Sequence, residues 1–407
     1  MQYEGDNMMG IKRTNRSAAL RILHERGSIS RKRLAESIRL TPAAITKIIG
    51  EMIAEGLVAE GNTVPSGGAG RREVMIVLNN KSRCALGVQL KKGLAVLSAV
   101  WLDGSVVFSE ELPLPVPAPA GDTMEKICEK LLAICAEHNI NRADIIGLGL
   151  CVDGVTDVDC RVLRCSAGAL DCEDYPICDR LEELLKMPVV MANRVNAAFM
   201  AHMFLAGDSG ISSRFFVHCD DSIRAALFMN GQICDGAFQR CADLGHIPVV
   251  RRGGKPCSCG KCGCLETVAS PAAIREDALA ALSQDRTPVL WNMLKGKRPE
   301  ELSLNDVFDA ARYGDQGVAE IVDRAVYEMA SALKSVIYIV DPGKITLYGE
   351  IFDNPYYLSK LLAEIREGVD SGHGVVVDKS ACTGGLEHSS AGILAVEEFF
   401  ARGGTRA

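Results

Sequence analysis

The sequence has few aromatic residues and no long apolar run. Aromatic side chains make up 5% of the 407 residues, so the core must be largely aliphatic. No apolar stretch approaches the roughly 18 residues that a membrane-spanning helix needs. Residues 1–10 also lack the basic and apolar regions of a signal peptide. Apolar residues still reach 48%, too many for a disordered chain. We therefore expect a folded cytoplasmic protein of two or three domains.

Acidic residues are in excess overall but not at the N-terminus. The formal net charge is −7, yet residues 1–75 hold 12 Lys and Arg against 8 Asp and Glu. The remaining residues hold 33 basic and 44 acidic side chains. A basic head on an acidic body indicates that the head alone meets a polyanion.

Three helices and a β-hairpin are predicted in this head. The first helix runs from about Asn15 to Arg26, and the second starts at the N-cap Ser30. The third starts at Thr41-Pro42, an N-cap followed by proline at the first helical position. Its apolar residues recur at helical spacing, and its other face is small or polar. Two strands, residues 57–60 and 72–78, then enclose a Gly-rich tip.

This order of elements is typical of a winged helix-turn-helix, whose second helix enters the major groove. Candidate DNA contacts come from the two N-caps, the small or polar face of the third helix and the wing: Ser30, Arg31, Thr41, Ala43, Ala44, Thr46, Lys47, Arg71 and Arg72. The two wing arginines would reach the phosphate backbone or the minor groove. The alternative is a three-helix protein-contact module whose basic face is merely solvated.

The body alternates strands with helices. Runs such as Ile145–Val152 are continuous and apolar, as buried parallel strands are. The β-β-β-α-β-α order that follows Cys84 recurs after Arg214, which suggests two related halves. We expect an α/β body with a largely parallel core.

Cysteine is abundant, at 16 residues, and four of them lie within Cys257–Cys264. Reduced cytoplasmic thiols at this density indicate metal ligation rather than disulfides. Four thiols in eight residues can surround one tetrahedral ion, and His246 lies eleven residues upstream. The twelve scattered cysteines are interpreted as small buried apolar side chains.

The segment Cys257–Glu266 resembles the zinc signature of the ROK family (repressors, open reading frames and sugar kinases) in full. Together with the head, it is similar to the repressor branch of that family. The resemblance implies a duplicated, actin-like (ribonuclease H-like) sugar-kinase fold behind the winged helix-turn-helix. It divides the chain into residues 1–80, 81–200 and 201–407, with a zinc loop over 246–264. It also implies a structural Zn²⁺ held by His246, Cys257, Cys259 and Cys264, with Cys262 at a variable position.

Three kinase elements of that family are altered here. Gln89-Leu90-Lys91-Lys92-Gly93 stands where its kinases have an acidic phosphate loop. Asp220–Arg224 replaces a second glycine-rich turn, although a phosphate cradle needs close backbone N–H groups. Arg194 stands in place of the catalytic aspartate, and arginine cannot act as a general base. The sequence therefore predicts that the protein is not an enzyme.

The resemblance also implies a ligand site at Asn193, Arg194, Asp243, His246 and Glu266. Arg194 would suit a phosphorylated or carboxylated ligand; the alternative is that Arg194 forms a structural ion pair in a decayed site. The function predicted is a sequence-specific transcriptional regulator, a repressor of carbohydrate-utilisation genes that binds operator DNA as a homodimer or tetramer and responds to a sugar or sugar phosphate. Two alternatives stay open: a sugar kinase with a DNA-binding head, and a DNA-binding protein whose ligand cleft no longer functions.

Overall fold

The computed structural model describes residues 8–65, 72–166, 168–207, 211–220, 222–296, 298–370, 372–382 and 385–405. It divides the chain into two compact units. The first combines Met1–Gly207 with Gly384–Ala407, and the second is Asp208–Thr383. Among the described residues, no helix is both long and apolar enough to cross a bilayer.

The head of the first unit is three helices and a three-stranded sheet. Its elements are α1 (Met8–Arg26), β1 (Ser28–Ser30), α2 (Arg31–Ile38), α3 (Pro42–Ala54), β2 (Val58–Pro65) and β3 (Arg72–Leu78). Strand β3 lies between β1 and β2 and is antiparallel to both. The predicted hairpin is therefore confirmed, and α1 begins earlier than the sequence indicates, at Met8.

A five-stranded sheet forms the body of the first unit, in the order β13-β8-β4-β5-β6. The elements are β4 (Cys84–Lys91), β5 (Leu94–Trp101), β6 (Val106–Pro113), β7 (Ala118–Pro119), α4 (Ala120–Glu137), β8 (Ile145–Val152), β9 (Gly154–Thr156), β10 (Leu163–Ser166), β11 (Leu170–Asp171), β12 (Glu173–Tyr175), α5 (Ile177–Leu185), β13 (Val189–Asn193), α6 (Arg194–Ala206) and the C-terminal α14 (Leu386–Ala401). The core between this sheet and α4 and α5 is aliphatic, as the low aromatic content predicts.

The second unit is built on another five-stranded sheet, in the order β16-β15-β14-β17-β18. Its elements are β14 (Ser213–Cys219), β15 (Ile223–Met229), β16 (Gln232–Ile233), α7 (Glu266–Ala269), α8 (Pro271–Ala281), α9 (Pro288–Met293), α10 (Leu304–Arg312), α11 (Gln316–Val340), β17 (Lys344–Tyr348), α12 (Glu350–Asp353), α13 (Pro355–Gly368) and β18 (Val376–Lys379). Helices α8, α10, α11 and α13 cover its core.

The two sheets have the same topology. In each, the first three strands pair antiparallel. A fourth strand pairs in parallel with the other side of the first strand, and a fifth strand pairs in parallel with the fourth. The predicted duplication is thus confirmed at the level of the fold. The predicted division at residue 201 differs from the two units, because the first unit extends to Gly207 and also contains the C-terminal helix. Helix α14 belongs to the first unit, because it packs on β4 and β8, whereas the sequence groups it with residues 201–407.

Candidate nucleic-acid interface, metal centre and ligand residues

Helix α3 is positioned by its cap and its apolar stripe. The Thr41 hydroxyl accepts a hydrogen bond from the Ala44 N–H at 3.3 Å, and Pro42 fills the first turn. The stripe of Ile45, Ile49 and their neighbours is buried in the head. Both features match the sequence interpretation, since an N-cap satisfies one of the orphan N–H groups at the helix start.

The opposite face of α3 is exposed and small. Ala43, Thr46, Lys47 and Gly50 are exposed there, and Ala44 is half-buried. The Thr46 hydroxyl donates to the Pro42 carbonyl at 2.7 Å. A helix with small residues and one cation on its solvent face can approach the floor of a DNA groove closely.

Two of the other predicted DNA contacts, Ser30 and Arg31, interact with neighbouring residues of the head. Ser30 is 2% exposed, and its hydroxyl accepts from the Arg33 N–H at 3.4 Å as the cap of α2. Arg31 pairs with Glu60 at 2.8 Å. Arg72 is exposed at the start of β3. Arg71 lies outside the described residues.

The four predicted metal ligands come together in the second unit. The side-chain donor atoms of His246, Cys257, Cys259 and Cys264 all lie within 4.8 Å of one another. The Cys257 Sγ is 3.4 Å from the His246 Nδ1, and the Cys259 Sγ is 3.6 Å from the Cys264 Sγ. In a tetrahedral zinc site with Zn–S bonds of about 2.3 Å, sulfur atoms are about 3.8 Å apart. This donor set and its spacing fit a zinc ion.

Tight turns bring these ligands together. The Cys257 N–H donates to the Lys261 carbonyl at 2.8 Å, which closes the first turn. Gly263 has φ +76°, and a Cβ there would lie 2.2 Å from the Val250 carbonyl oxygen. Cys262 is exposed and is not one of the four clustered residues. Gly263 is therefore required by the path of the loop.

Two of the thiols have displaced pKa values. A hydrogen bond from the Lys261 backbone lowers the pKa of Cys259. Burial, reinforced by hydrogen bonds with Cys259 and Cys257, raises the pKa of Cys264 to about 12. A divalent cation among these sulfur atoms would favour the thiolate forms, since thiolate rather than thiol is the metal ligand.

Asn193 and Arg194 begin α6 in the first unit. The Asn193 side chain accepts from the Val195 N–H at 3.2 Å as the helix cap. Arg194 is 8% exposed, and its Nε lies 3.1 and 3.0 Å from the two carboxylate oxygens of Asp153. The guanidinium is therefore held in an ion pair, the arrangement that the structural alternative for Arg194 describes.

The remaining predicted ligand residues lie in the second unit. Asp243 is exposed, and its carbonyl accepts from the His246 N–H at 3.2 Å. Glu266 starts α7, and its Oε2 accepts from the Ile223 N–H at 3.3 Å. This hydrogen bond from Ile223 connects Glu266, which follows the cysteine loop 257–264, to the start of β15.

Two of the three segments that the sequence compares with kinase elements carry a buried or charged side chain. Gln89 lies two residues before the end of β4 with 2% exposure, and its Oε1 has no hydrogen-bond partner among the described residues. Asp220 lies between β14 and β15, with its carboxylate 3.5 Å from both His218 Nε2 and Arg224 Nη1.

The contacts that connect α1 to the body were not predicted from the sequence. Arg16 is 3% exposed, donates to the Gly403 carbonyl at 2.7 Å, and pairs through both terminal nitrogens with Glu55 at the end of α3. His24 stacks on Phe204 of α6 with ring centroids 3.8 Å apart. Partners so far apart in the chain leave no periodic signal.

Known proteins share both parts of this architecture. The ROK family profile matches residues 94–391, and the MarR family profile matches residues 15–59. The chain is 26% identical over 357 residues to the DNA-binding transcriptional dual regulator NagC of Escherichia coli K12, covering 86% of this chain and 84% of the relative. It is 29% identical over 248 residues to a glucokinase of Halalkalibacterium halodurans, covering 61% and 74%.

The fold matches a solved structure along nearly its whole length. A ROK family transcriptional regulator, described as a homologue of the Escherichia coli Mlc protein, superimposes with a TM-score of 0.78 at 20% identity and covers 97% of this chain and 98% of its own. This match confirms the winged-helix head and the actin-like α/β body. The chain belongs to the ROK family and carries a MarR-type helix-turn-helix head.

Proposed function

We propose that the protein is a sequence-specific DNA-binding transcriptional regulator, a repressor of carbohydrate-utilisation genes that responds to a sugar or sugar-derived effector. The observation that carries this proposal is the exposed, small-residue face of α3 in a MarR-type head. The similarity to the Escherichia coli K12 relative, which is a DNA-binding transcriptional regulator, supports this proposal.

DNA is recognised through α3 and the wing. Thr41, Ala43, Ala44, Thr46 and Lys47 would face the major groove, while Arg31, Arg71 and Arg72 would contact phosphates or the minor groove. Ser30 supports this face from within, because its hydroxyl caps α2. A homodimer or tetramer on palindromic half-sites is the geometry that two-fold symmetry favours.

The candidate effector residues are polar, and those of each unit are taken by themselves. Asn193 and Arg194 serve in the first unit, and Asp243, His246 and Glu266 in the second. Since Asp153 already neutralises Arg194, a neutral sugar is as compatible with this pair as a sugar phosphate. Binding changes operator affinity only if the effector prefers one of two arrangements of the protein.

Zinc has a structural role in this proposal. His246, Cys257, Cys259 and Cys264 would hold it, and four protein ligands leave no open position for catalysis. The ion would contribute folding free energy to the loop that precedes Glu266.

Phosphoryl transfer is not part of the function that we propose, although a glucokinase is among the relatives. Arg194 cannot accept a proton, and its guanidinium is engaged by Asp153. Among the described residues, the Asp220 carboxylate lies beside Arg224 and beside His218, which is a cation when protonated. The negative charge of Asp220 would repel nucleotide phosphates. ATP consumption with any hexose of a panel would overturn this part of the proposal.

The test is selection of binding sites from random duplex DNA, followed by anisotropy titration of the selected fragment. We expect Lys47→Ala to weaken binding to the selected fragment by about 1–3 kcal/mol and to relax sequence specificity, the loss of one base contact in the major groove. Lys126→Ala is the control, because Lys126 is an exposed lysine on the body helix α4. Equal losses in the two variants, or no selected sequence, would contradict DNA recognition by α3.

A further inference from the structure

Helix α6 links the proposed ligand residues to the DNA-binding head. Asn193 caps its first turn and Arg194 is its first residue. Phe204 lies in its last turn, 6% exposed. At about 1.5 Å per residue, the two ends of this segment are roughly 16 Å apart.

The last turn of α6 contacts α1 directly. The His24 ring lies over the Phe204 ring, with centroids 3.8 Å apart and planes inclined by 23°. The His24 Nε2 is 2.9 Å from the Phe204 carbonyl oxygen. That carbonyl is one of the four at a helix end that have no partner within the helix. Phe400 of α14 meets the His24 ring edge-on at 6.1 Å. His24 therefore connects the end of α6 to α1, in addition to the bond from Arg16 to the Gly403 carbonyl.

Rigid contacts continue from α1 to α3. Arg16 binds Glu55, the C-cap of α3, and Lys12 pairs with Glu51 of the same helix at 2.7 Å. This bond from Lys12 lowers the pKa of Glu51, so the Glu51 carboxylate is ionised at neutral pH. These two contacts couple a rotation of α1 to α3, and the exposed face of α3 carries Lys47.

We propose that α6 transmits effector occupancy to the head, and that Phe204 and His24 are the positioning residues of this coupling. The inference rests on the proposed function, because it places the effector at Asn193 and Arg194. A ligand that hydrogen-bonds to the Asn193 side chain, or to Arg194 or Asp153, moves the first turn of α6. The packed helix moves as one body, and the stacked contact passes that movement to α1.

The first experiment compares Phe204→Leu with Phe108→Leu. Phe108, in β6 of the same unit, also stacks on a histidine, His138, with ring centroids 5.1 Å apart. The two variants thus lose the same kind of contact. Operator affinity is measured with and without each of a panel of hexoses, N-acetylhexosamines and their 6-phosphates. Direct binding of each sugar is measured by calorimetry.

We expect the effector to change operator affinity by about 5- to 150-fold in the wild type and in Phe108→Leu, the usual range of coupling between two sites. In Phe204→Leu the change falls below about 3-fold, while sugar affinity and effector-free operator affinity stay within about 3-fold of wild type. An unchanged response in Phe204→Leu would overturn the coupling role. If no sugar binds the wild type, the proposed function fails instead.

A second experiment needs no effector. Arg194→Gln breaks the pair with Asp153 at the start of α6, and hydrogen exchange reports the protection of amides in α1 and α3, with α4 as internal reference. We expect protection in α1 and α3 to fall in the wild-type background and to stay unchanged when Phe204→Leu is also present. Equal effects in both backgrounds, or none in the wild-type background, would overturn the proposal whether or not a sugar binds.

Discussion

Single glycines decide whether the cysteine loop can close. Gly260 and Gly263 both have positive φ, +84° and +76°, but their surroundings differ. A Cβ on Gly260 would meet no atom within 4 Å, whereas one on Gly263 would lie 2.2 Å from the Val250 carbonyl oxygen. The pair separates backbone strain from steric exclusion.

We predict that Gly263→Ala loses bound zinc and that Gly260→Ala keeps it. Alanine at Gly260 costs only the left-handed conformation, about 1–2 kcal/mol. At Gly263 the backbone itself must move, and Cys262 and Cys264 move with it. Metal content of the purified variants, measured by a colorimetric chelator after thiol modification, checks this prediction. Full zinc occupancy in Gly263→Ala would show that the loop tolerates another path.

The family resemblance was sufficient to name the four side chains that cluster, but the sequence was not sufficient to assign Arg194. The spacing of the cysteines and the upstream histidine limits them to one small volume, and the structure brings them together. For Arg194 the sequence left a ligand role and an ion pair open, because the choice depends on Asp153, 41 residues away in the chain. Long-range pairs of this kind have no local pattern.

Helix α14 depends on a sheet surface without side chains. A Cβ on Gly149 of β8 would lie 1.7 Å from the Ala391 carbonyl oxygen, and one on Gly87 of β4 would lie 2.6 Å from the Gly392 nitrogen. The helix therefore packs backbone to backbone against the strands. The sequence shows these glycines but not what approaches them.

Gly149→Ala is expected to prevent α14 from docking and to lower the yield of folded protein severely, as overpacking of a rigid core does. Gly121→Ala is the control, because Gly121 is exposed in the first turn of α4 and a Cβ there would meet nothing within 4 Å. That change should raise stability by about 0.4–1 kcal/mol. Urea unfolding followed by circular dichroism gives both values, and similar midpoints for the two variants would refute the packing argument.

Secondary structure was the most predictable level of the fold. The bounds of β8 coincide with the apolar run that indicates it, and α3 begins at its predicted cap. The start of α1 was predicted several residues late, because Met8–Thr14 carries no apolar stripe. The grouping of α14 with the first unit could not be predicted, since it depends on packing between segments more than 200 residues apart.

The whole chain carries one tryptophan in each unit, Trp101 in β5 and Trp291 in α9. Each can therefore report on its own unit once the other is replaced by phenylalanine. The cysteine cluster belongs to the second unit alone.

A metal chelator should therefore lower the thermal midpoint reported by Trp291 more than the midpoint reported by Trp101, because a structural zinc ion stabilises the unit that folds around it. Re-addition of Zn²⁺ should restore the Trp291 signal, and Mg²⁺, which prefers oxygen ligands, should not. Identical shifts in both reporters would show that the metal stabilises the chain as a single cooperative body.

The discontinuous first unit has a consequence for synthesis on the ribosome. Residues 1–207 emerge first, but their sheet is covered, and Arg16 finds the Gly403 carbonyl, only after the whole of Asp208–Thr383 has been translated. The inserted unit can therefore complete its own folding earlier than the unit that precedes it. Until then the nascent head lacks the bond from Arg16 to the Gly403 carbonyl. A prematurely terminated product would therefore present to DNA an α3 that lacks this support.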